Sequence, residues 1–507
     1  LSLIAARRWE VLIKLAELIS IIPQKEVAGN PEIEINKIEY DSRNVVEGDV
    51  FVALVGANLD GHNYIADAIE KGAKCVVAER EFEQDVPARI IVPDTRHALA
   101  LLAAKFYNFP SRHMKIIGVT GTNGKTTVAY LIRSIYRARG RNIGLIGTIE
   151  YLAGKHRFDA LNTTPESLQI EQLLTIMRAE RLRVCVMEIS SHALKSGRIR
   201  MVDFNTVGVT NLTQDHLDYH GTMEDYRNTK AMLVDRVRGQ DKWVILNADD
   251  PEFDFFMGHV DSSYITYSVK GNKADMRATN IETGPDGSKF TMVTPLGEEK
   301  IELKLPGEHN VANALCAAAL AMGSGVDVGT VKRGLEAATF TPGRLEPVEN
   351  DRGIRIYVDF AHTPDALDNV CPICKKLTRE IDDDGNVVRE GKLVVLFGCG
   401  GDRDKSKRRP MAETVCRYAD KIVVTMDNPR TENPEAIIED IKPGLSSSIE
   451  TEIETDRKKA LKIALDMAES GDVLLIAGKG HETYQIIGTE RVPFDDRVII
   501  REYLSQG

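Results

Sequence analysis

An α/β protein of three domains is predicted by the length of the chain, by its alternating strand and helix patterns, and by a glycine-rich turn between one strand and the helix after it. At 507 residues the chain is too long for one hydrophobic core, and roughly 150 residues per domain gives about three. The expected divisions are residues 1–111, a smaller N-terminal α/β domain; 112–342, a central doubly wound domain with a mostly parallel sheet; and 343–507, a Rossmann-like α/β domain.

In the first block, strand patterns lie at Asp49–Leu54, Cys75–Ala78 and Arg89–Val92, a helix pattern at Ala98–Tyr107, and a turn-rich boundary at Asn108–Ser111. Ahead of them, Trp9, Leu12, Ile13, Ala16 and Ile19 recur at helical spacing over Leu1–Ser20, which predicts an amphipathic helix. The second block opens with strand Lys115–Val119 and continues with strands Val184–Ile189, Thr206–Thr210 and Trp243–Leu246. Their unbroken hydrophobicity suits a parallel sheet covered on both faces. Around Thr279–Leu305 the pattern turns polar-alternating, as in a small antiparallel excursion, and helix Val311–Met322 follows. Beyond Thr341–Arg344 come strands Ile354–Val358, Lys392–Phe397, Lys421–Thr425 and Val473–Ile476 with helical stretches between, a second doubly wound unit.

A formal charge of −11 argues against non-specific nucleic-acid binding. No run approaches the ~20 apolar residues needed to span a bilayer, and Leu1–Ser20 lacks a signal-peptide core, so a cytoplasmic, monomeric protein without membrane insertion is expected. Seven scattered cysteines make no disulfide framework, and Cys371 and Cys374, without a second pair nearby, read as buried thiols on a helix. The acidic run Asp382–Gly385 fails as a calcium loop, because aligning its glycine puts Gly391 where a bidentate Glu is needed. It reads as a solvated loop.

Chemistry centres on the turn. Strand Ile116–Val119 runs into Thr120-Gly121-Thr122-Asn123-Gly124-Lys125-Thr126-Thr127 and then a helix to about Arg139. Glycines let successive N–H groups face phosphate oxygens at a helix N-terminus, Lys125 can reach the β/γ-phosphates, and the Thr126 hydroxyl can hold Mg²⁺. Val119 stands where the general form of this loop has its first Gly. Strand Val184–Ile189 brings Glu188 to its C-terminal end, where an open parallel sheet binds ligands. The run Asn211–Gly221 carries two His and two Asp at another strand end, with His216 a candidate metal ligand and His220 as readily a surface residue.

Together with Leu246–Pro251, Gly307–Asn313, Asp359–Leu367, Gly398–Lys405, Asp427–Thr431 and Gly478–Glu482, these runs resemble the Mur ligases, in family order over essentially the whole chain. Phe360 stands where the family more commonly has Tyr. The resemblance implies an ATP-dependent amide ligase of peptidoglycan assembly that works through an acyl phosphate. It implies ATP held at Gly121, Thr122, Asn123, Gly124, Lys125, Thr126 and Thr127, with help from Asn310 and Arg344, and two Mg²⁺ ions at Thr126, Glu188, His216 and a carbamylated Lys230. Composition alone makes Lys230 a helix-surface lysine. Lys125, Glu188, His216 and Lys230 are the implied catalytic set.

Tyr40, Ser42, Ala57, Asn58 and Leu59 match contacts to a uridine diphosphate, and Asn162, Thr163, Thr164, Ser190 and Arg198 match contacts to the peptide end of UDP-N-acetylmuramoyl-L-alanyl-D-glutamate. Arg403, Asp427, Asn428, Pro429, Arg430, Gly478 and Glu482 match the pocket for the incoming amino acid. Arg430 resembles the branch that uses meso-2,6-diaminopimelate, since a guanidinium pairs with the second carboxylate that L-lysine lacks. The alternatives are the same ligation with another amino acid such as L-lysine, a folylpolyglutamate-synthetase-like ligase, a P-loop kinase or GTPase, and a binding protein that has lost its chemistry. Substrates entering from three blocks imply domain closure before reaction.

Overall fold

The computed structural model describes residues 12–56, 59–284, 287–339, 341–381 and 387–505. Strands Val50–Val52, Cys75–Ala78 and Ala88–Ile91 form the middle of a 5-stranded sheet, with Ile38–Glu39 parallel at one edge and Glu26–Gly29 antiparallel at the other. Helix Thr95–Phe106 starts where the Asp94 side chain accepts the His97 amide at 2.8 Å, and it buries Leu99 and Leu102 in that sheet's core.

Within the described part of the expected N-terminal helix, Ile13–Lys14 is instead a strand paired antiparallel with Glu34–Ile35, and helix occupies Leu15–Ile19. Inter-strand bonds there satisfy backbone groups that a longer helix would have satisfied internally. Of the expected stripe Ile19 is buried, Ile13 and Ala16 are half-buried and Leu12 is exposed, while Leu15 and Leu18, outside it, are buried. The segment before Leu12, with Trp9, lies outside the described residues.

The second region is built on an 11-stranded sheet in which strand Lys115–Thr120 lies between Val184–Glu188 and Thr206–Val209, all parallel. Ile117, Val119, Val186 and Ile245 pack on one face against helices Lys125–Ala138 and Glu308–Gly323. Ile116, Cys185, Val207 and Val244 pack on the other, against Ser167–Ala179 and Met223–Val234. Burial on both faces is why these strands lack alternation. The antiparallel excursion is present as Met276–Gly284, Gly287–Thr294 and Gly297–Leu303, but its first strand pairs parallel to Asp261–Ser268 and so extends the main sheet. A hairpin of Glu150–Ala153 and His156–Asp159 closes the opposite edge. Its alternating burial left only a weak signal in the sequence.

In the third region a 6-stranded sheet runs Glu346–Val348, Arg355–Asp359, Val473–Ala477, Leu393–Cys399, Lys421–Met426, Glu450–Ile453, parallel except at the first strand. Cys371 and Cys374 lie on helix Pro364–Leu377 as buried free thiols. Strands Arg379–Ile381 and Val387–Glu390 pair as a hairpin, while the acidic run between them falls outside the described residues. Among the described residues no helix is long and apolar enough to cross a membrane.

Candidate functional site

The phosphate-type loop is fixed by the neighbouring strand end. Gly121 and Gly124 take φ values of +143° and +86°, which favour glycine. A Cβ at Gly121 would sit 1.9 Å from Thr210 Oγ1, and one at Gly124 would sit 2.3 Å from Asn313 Oδ1. Thr210 Oγ1 donates to the Asn123 carbonyl at 2.6 Å, and the Asn123 amide donates to Asn211 Oδ1 at 2.9 Å. Gly124 opens helix Lys125–Ala138 without a side-chain cap, leaving first-turn N–H groups for an anion. Lys125 Nζ folds over the loop, donating to the carbonyls of Gly121 at 2.9 Å and Thr122 at 2.8 Å.

Lys230 is no surface residue. It is 1% exposed, and its Nζ reaches the same Gly121 carbonyl at 2.8 Å. Burial, and next the Lys125 ammonium, hold its amine well below the ordinary lysine range.

Glu188 is fully buried at the end of its strand. Its Oε2 accepts from Thr126 Oγ1 at 2.8 Å and Thr148 Oγ1 at 2.9 Å, and its Oε1 from the Thr148 amide at 3.0 Å. Thr126 and Glu188 therefore present oxygens side by side. His216 adopts φ +55° beside Asp215, 3.4 Å away, which Lys407 of the third region approaches at 3.5 Å. Burial pushes His216 down to about 3 and its ring neighbour His192 down to about 4, so both are neutral imidazoles. His220, left open by the sequence, is buried: Nδ1 meets Asp225 at 2.8 Å and Nε2 meets Ser191 Oγ at 2.9 Å.

Among the described residues no three His, Cys, Asp or Glu side chains gather around one point. Mg²⁺ does not need such a cage, because it is commonly held by one or two carboxylates plus substrate phosphates. Thr126 and Glu188 beside the loop fit that pattern.

A cleft of about 590 Å³ opens from this loop between the second and third regions. Asn310 and Arg344 line it, together with Asn313, Asp359 and Asp365, which were not singled out from sequence. Asp365 accepts a 2.6 Å bond from Asn123 Nδ2 across the two regions. Asn313 and Asp359 lie inside runs already picked out for their resemblance, so a residue-by-residue reading of those runs was the available signal.

On the first region's side, the Tyr40 hydroxyl meets Gln169 Nε2, and the Ser42 carbonyl accepts Lys71 Nζ at 2.9 Å. Leu59 is 67% exposed, while Ala57 and Asn58 lie outside the described residues. The expected peptide contacts converge behind Glu188. Thr163 accepts from Thr148 at 3.1 Å, Thr164 Oγ1 donates to the Glu188 carbonyl at 2.7 Å, and the Ser190 amide donates to Thr164 at 3.0 Å. The Asn162 carbonyl accepts Tyr151 at 2.6 Å, and Arg198 donates to the Thr164 carbonyl at 3.0 Å while lying 3.6 Å from Glu166. Thr148, the hub of this net, was missed because it sits in an unpredicted turn.

The third region gathers the remaining residues at its strand ends. Arg430 has φ +53°; its amide donates to Ile486 O at 3.0 Å and its carbonyl accepts Gly488 N at 2.8 Å. Its Nη1 donates to the carbonyls of Gly401 at 2.8 Å and Asn428 at 3.3 Å. Arg403 donates to its neighbour's carbonyl, Asp402 O, at 3.0 Å. Among the described residues neither guanidinium has a carboxylate in an ion pair. Asp427 and Asn428 are buried, Pro429 O lies 1.9 Å from where a Gly401 Cβ would be, and Gly478, at φ +112°, donates its amide to Asp359 O at 3.0 Å. Glu482 accepts from Asn428 Nδ2 at 2.9 Å and from the buried Lys479 at 2.8 Å. Burial and Asp427 raise the Glu482 carboxyl above the usual range.

Residues 34–107 match the family description "Mur ligase family, catalytic domain", residues 119–321 "Mur ligase middle domain", and residues 343–480 "Mur ligase, glutamate ligase domain". A UDP-N-acetylmuramoyl-L-alanyl-D-glutamate--2,6-diaminopimelate ligase of Bacillus licheniformis is 42% identical, covering 98% of this chain and 99% of its own. One of the same name from Geobacillus thermodenitrificans is 42% identical over 97% and 99%. A solved structure of such a ligase superposes with a TM-score of 0.65 at 30% identity, covering 98% of this chain and 99% of its own. MurF from Acinetobacter baumannii, 21% identical over 98% of each chain with a TM-score of 0.67, shares the fold. With the family descriptions in order along most of the sequence and such relatives over nearly all of it, the chain belongs to the Mur ligase family.

Proposed function

We propose that the protein joins meso-2,6-diaminopimelate to UDP-N-acetylmuramoyl-L-alanyl-D-glutamate at the expense of ATP. The observation that carries the choice of amino acid is Arg430, a half-buried guanidinium bonded, among the described residues, to backbone carbonyls alone. A charge so placed is best compensated by a carboxylate brought in by a ligand, and the far carboxylate of diaminopimelate supplies one where L-lysine has none. The Bacillus and Geobacillus relatives carry 2,6-diaminopimelate in their names.

Residues 1–111 hold the uridine diphosphate through Tyr40, Ser42 and the turn at Leu59, residues 112–342 hold the nucleotide, and residues 343–507 hold the amino acid. In the first step the substrate's glutamyl carboxylate attacks the γ-phosphorus of ATP, forming an acyl phosphate and releasing ADP. In the second the amine of diaminopimelate attacks the acyl carbon, a tetrahedral intermediate collapses, and phosphate leaves with the amide formed. Such chemistry asks for charge neutralisation more than covalent help. Lys125 swings from the loop carbonyls to the phosphates, and the Gly124 turn gives its N–H groups to them. Mg²⁺ at Thr126 and Glu188 would neutralise phosphate charge. Burial lowers the proton affinity of the Lys230 amine and so favours the uncharged form that would add carbon dioxide with loss of a proton; the resulting carbamate, with His216, would hold a second ion. Arg198 orients the peptide carboxylate.

Phosphate release is the test. With ATP and UDP-N-acetylmuramoyl-L-alanyl-D-glutamate, meso-diaminopimelate should drive turnover and L-lysine should not. Equal turnover with both, or turnover with L-lysine alone, overturns the reading.

A further inference from the structure

Lys479 is absent from the residue set above, yet it is fully buried in the amino-acid pocket. Its Nζ lies 2.8 Å from Glu482 Oε2, 3.2 Å from Asn428 Oδ1 and 3.7 Å from Asp427 Oδ1. Asn428 Nδ2 donates to the same Glu482 oxygen at 2.9 Å. Both bonds fall on Oε2, so neither uses Oε1. Asn428 is itself fixed, since its Oδ1 also accepts the Ile486 amide at 2.9 Å. The backbone around it is held by Gln485, whose side chain donates to Asp427 O at 2.7 Å. One buried ammonium thus balances two carboxylates and sets the rotamer of one of them.

We propose that Lys479 is a positioning residue for amino-acid selectivity, turning Glu482 so that its free oxygen meets the distal ammonium of the incoming diamino acid. This rests on the reading of the pocket given above. The charges are then matched by group. Arg430 and Arg403 face the distal carboxylate, Glu482 Oε1 faces the distal ammonium, and Lys479 offsets the anion that Asp427 and Glu482 would otherwise accumulate. Without Lys479, two neighbouring carboxylates repel each other and Asn428 alone is left to hold Glu482.

The test compares two amino acids on the intact enzyme. meso-Diaminopimelate carries the distal ammonium; 2-aminopimelate is the same diacid without it. In Lys479→Met, KM for meso-diaminopimelate should rise about tenfold or more, the scale of a lost charge-assisted hydrogen bond. For 2-aminopimelate, read as turnover or as competitive inhibition, the change should stay within about threefold, as should KM for ATP. Lys479→Gln keeps a donor but not the charge, and it gives the same split should the methionine variant not fold. Equal losses for both amino acids, or no loss for either, overturn the proposal. A wild-type enzyme that ignores meso-diaminopimelate sinks the underlying functional reading instead.

Discussion

Arg430→Ala tests the contact proposed to decide the amino acid. The loop around it is tied by backbone bonds, Arg430 N to Ile486 O at 3.0 Å and Gly488 N to Arg430 O at 2.8 Å, and these survive truncation. The left-handed backbone at φ +53° carries a Cβ before and after the change, so strain is the same in both proteins. What goes is the guanidinium fork. A hydrogen bond to a charged group contributes about 1.5–3 kcal/mol, and the half-buried setting points to the middle, roughly 2 kcal/mol. At about 1.4 kcal/mol per decade, kcat/KM for meso-diaminopimelate should fall roughly 30-fold. The assay is phosphate release at limiting amino acid with the other substrates saturating, run beside L-lysine. Any residual rate with L-lysine should stay unchanged, because that substrate has no carboxylate for the arginine to meet. A loss smaller than about threefold, or an equal loss for both amino acids, would refute the carboxylate assignment.

Two further outcomes follow from buried groups. Lys230→Ala should be nearly inactive and should regain part of its rate with millimolar short-chain carboxylates; full activity, or a dead variant that no carboxylate rescues, removes the carbamate. Arg457, fully buried and bidentate to Asp496 at 2.8 and 2.9 Å, stands behind the amino-acid pocket. Arg457→Met should lower unfolding free energy by about 3–5 kcal/mol, because it strands Asp496 in the core. Urea denaturation of the isolated variant checks this, and a midpoint unchanged from wild type would mean the pair is solvated.

Strands buried on both faces were the most legible elements, since continuous runs such as Val184–Glu188 and Leu393–Cys399 have few other readings. Edge elements were not, because the pairing of Ile13–Lys14 with Glu34–Ile35 is decided by a partner strand rather than by local periodicity. The same division runs through the site. The glycine turn could be read because its backbone requirements are local. Lys230 was misjudged on composition because its burial depends on the Gly121 carbonyl, 109 residues away along the chain. Asp365 was missed for the same reason, since it matters through Asn123, far away in sequence. Lys479 was missed, though its partner Glu482 is near, because its burial beside Asp427 and Asn428 is set by another strand end.

The bond from Asn123 to Asp365 ties the phosphate loop to the helix Pro364–Leu377 of the third region. Nearby, Gln214 reaches Ser406 at 3.1 Å and Asp215 approaches Lys407. A ligand that draws Asn123 out of its bond therefore also loosens the seat of the third region. By the reciprocity of linked equilibria, an amino acid that shifts that seat must change nucleotide affinity by the same factor. Substitutions at these contacts, which touch neither ligand, would then change that coupling.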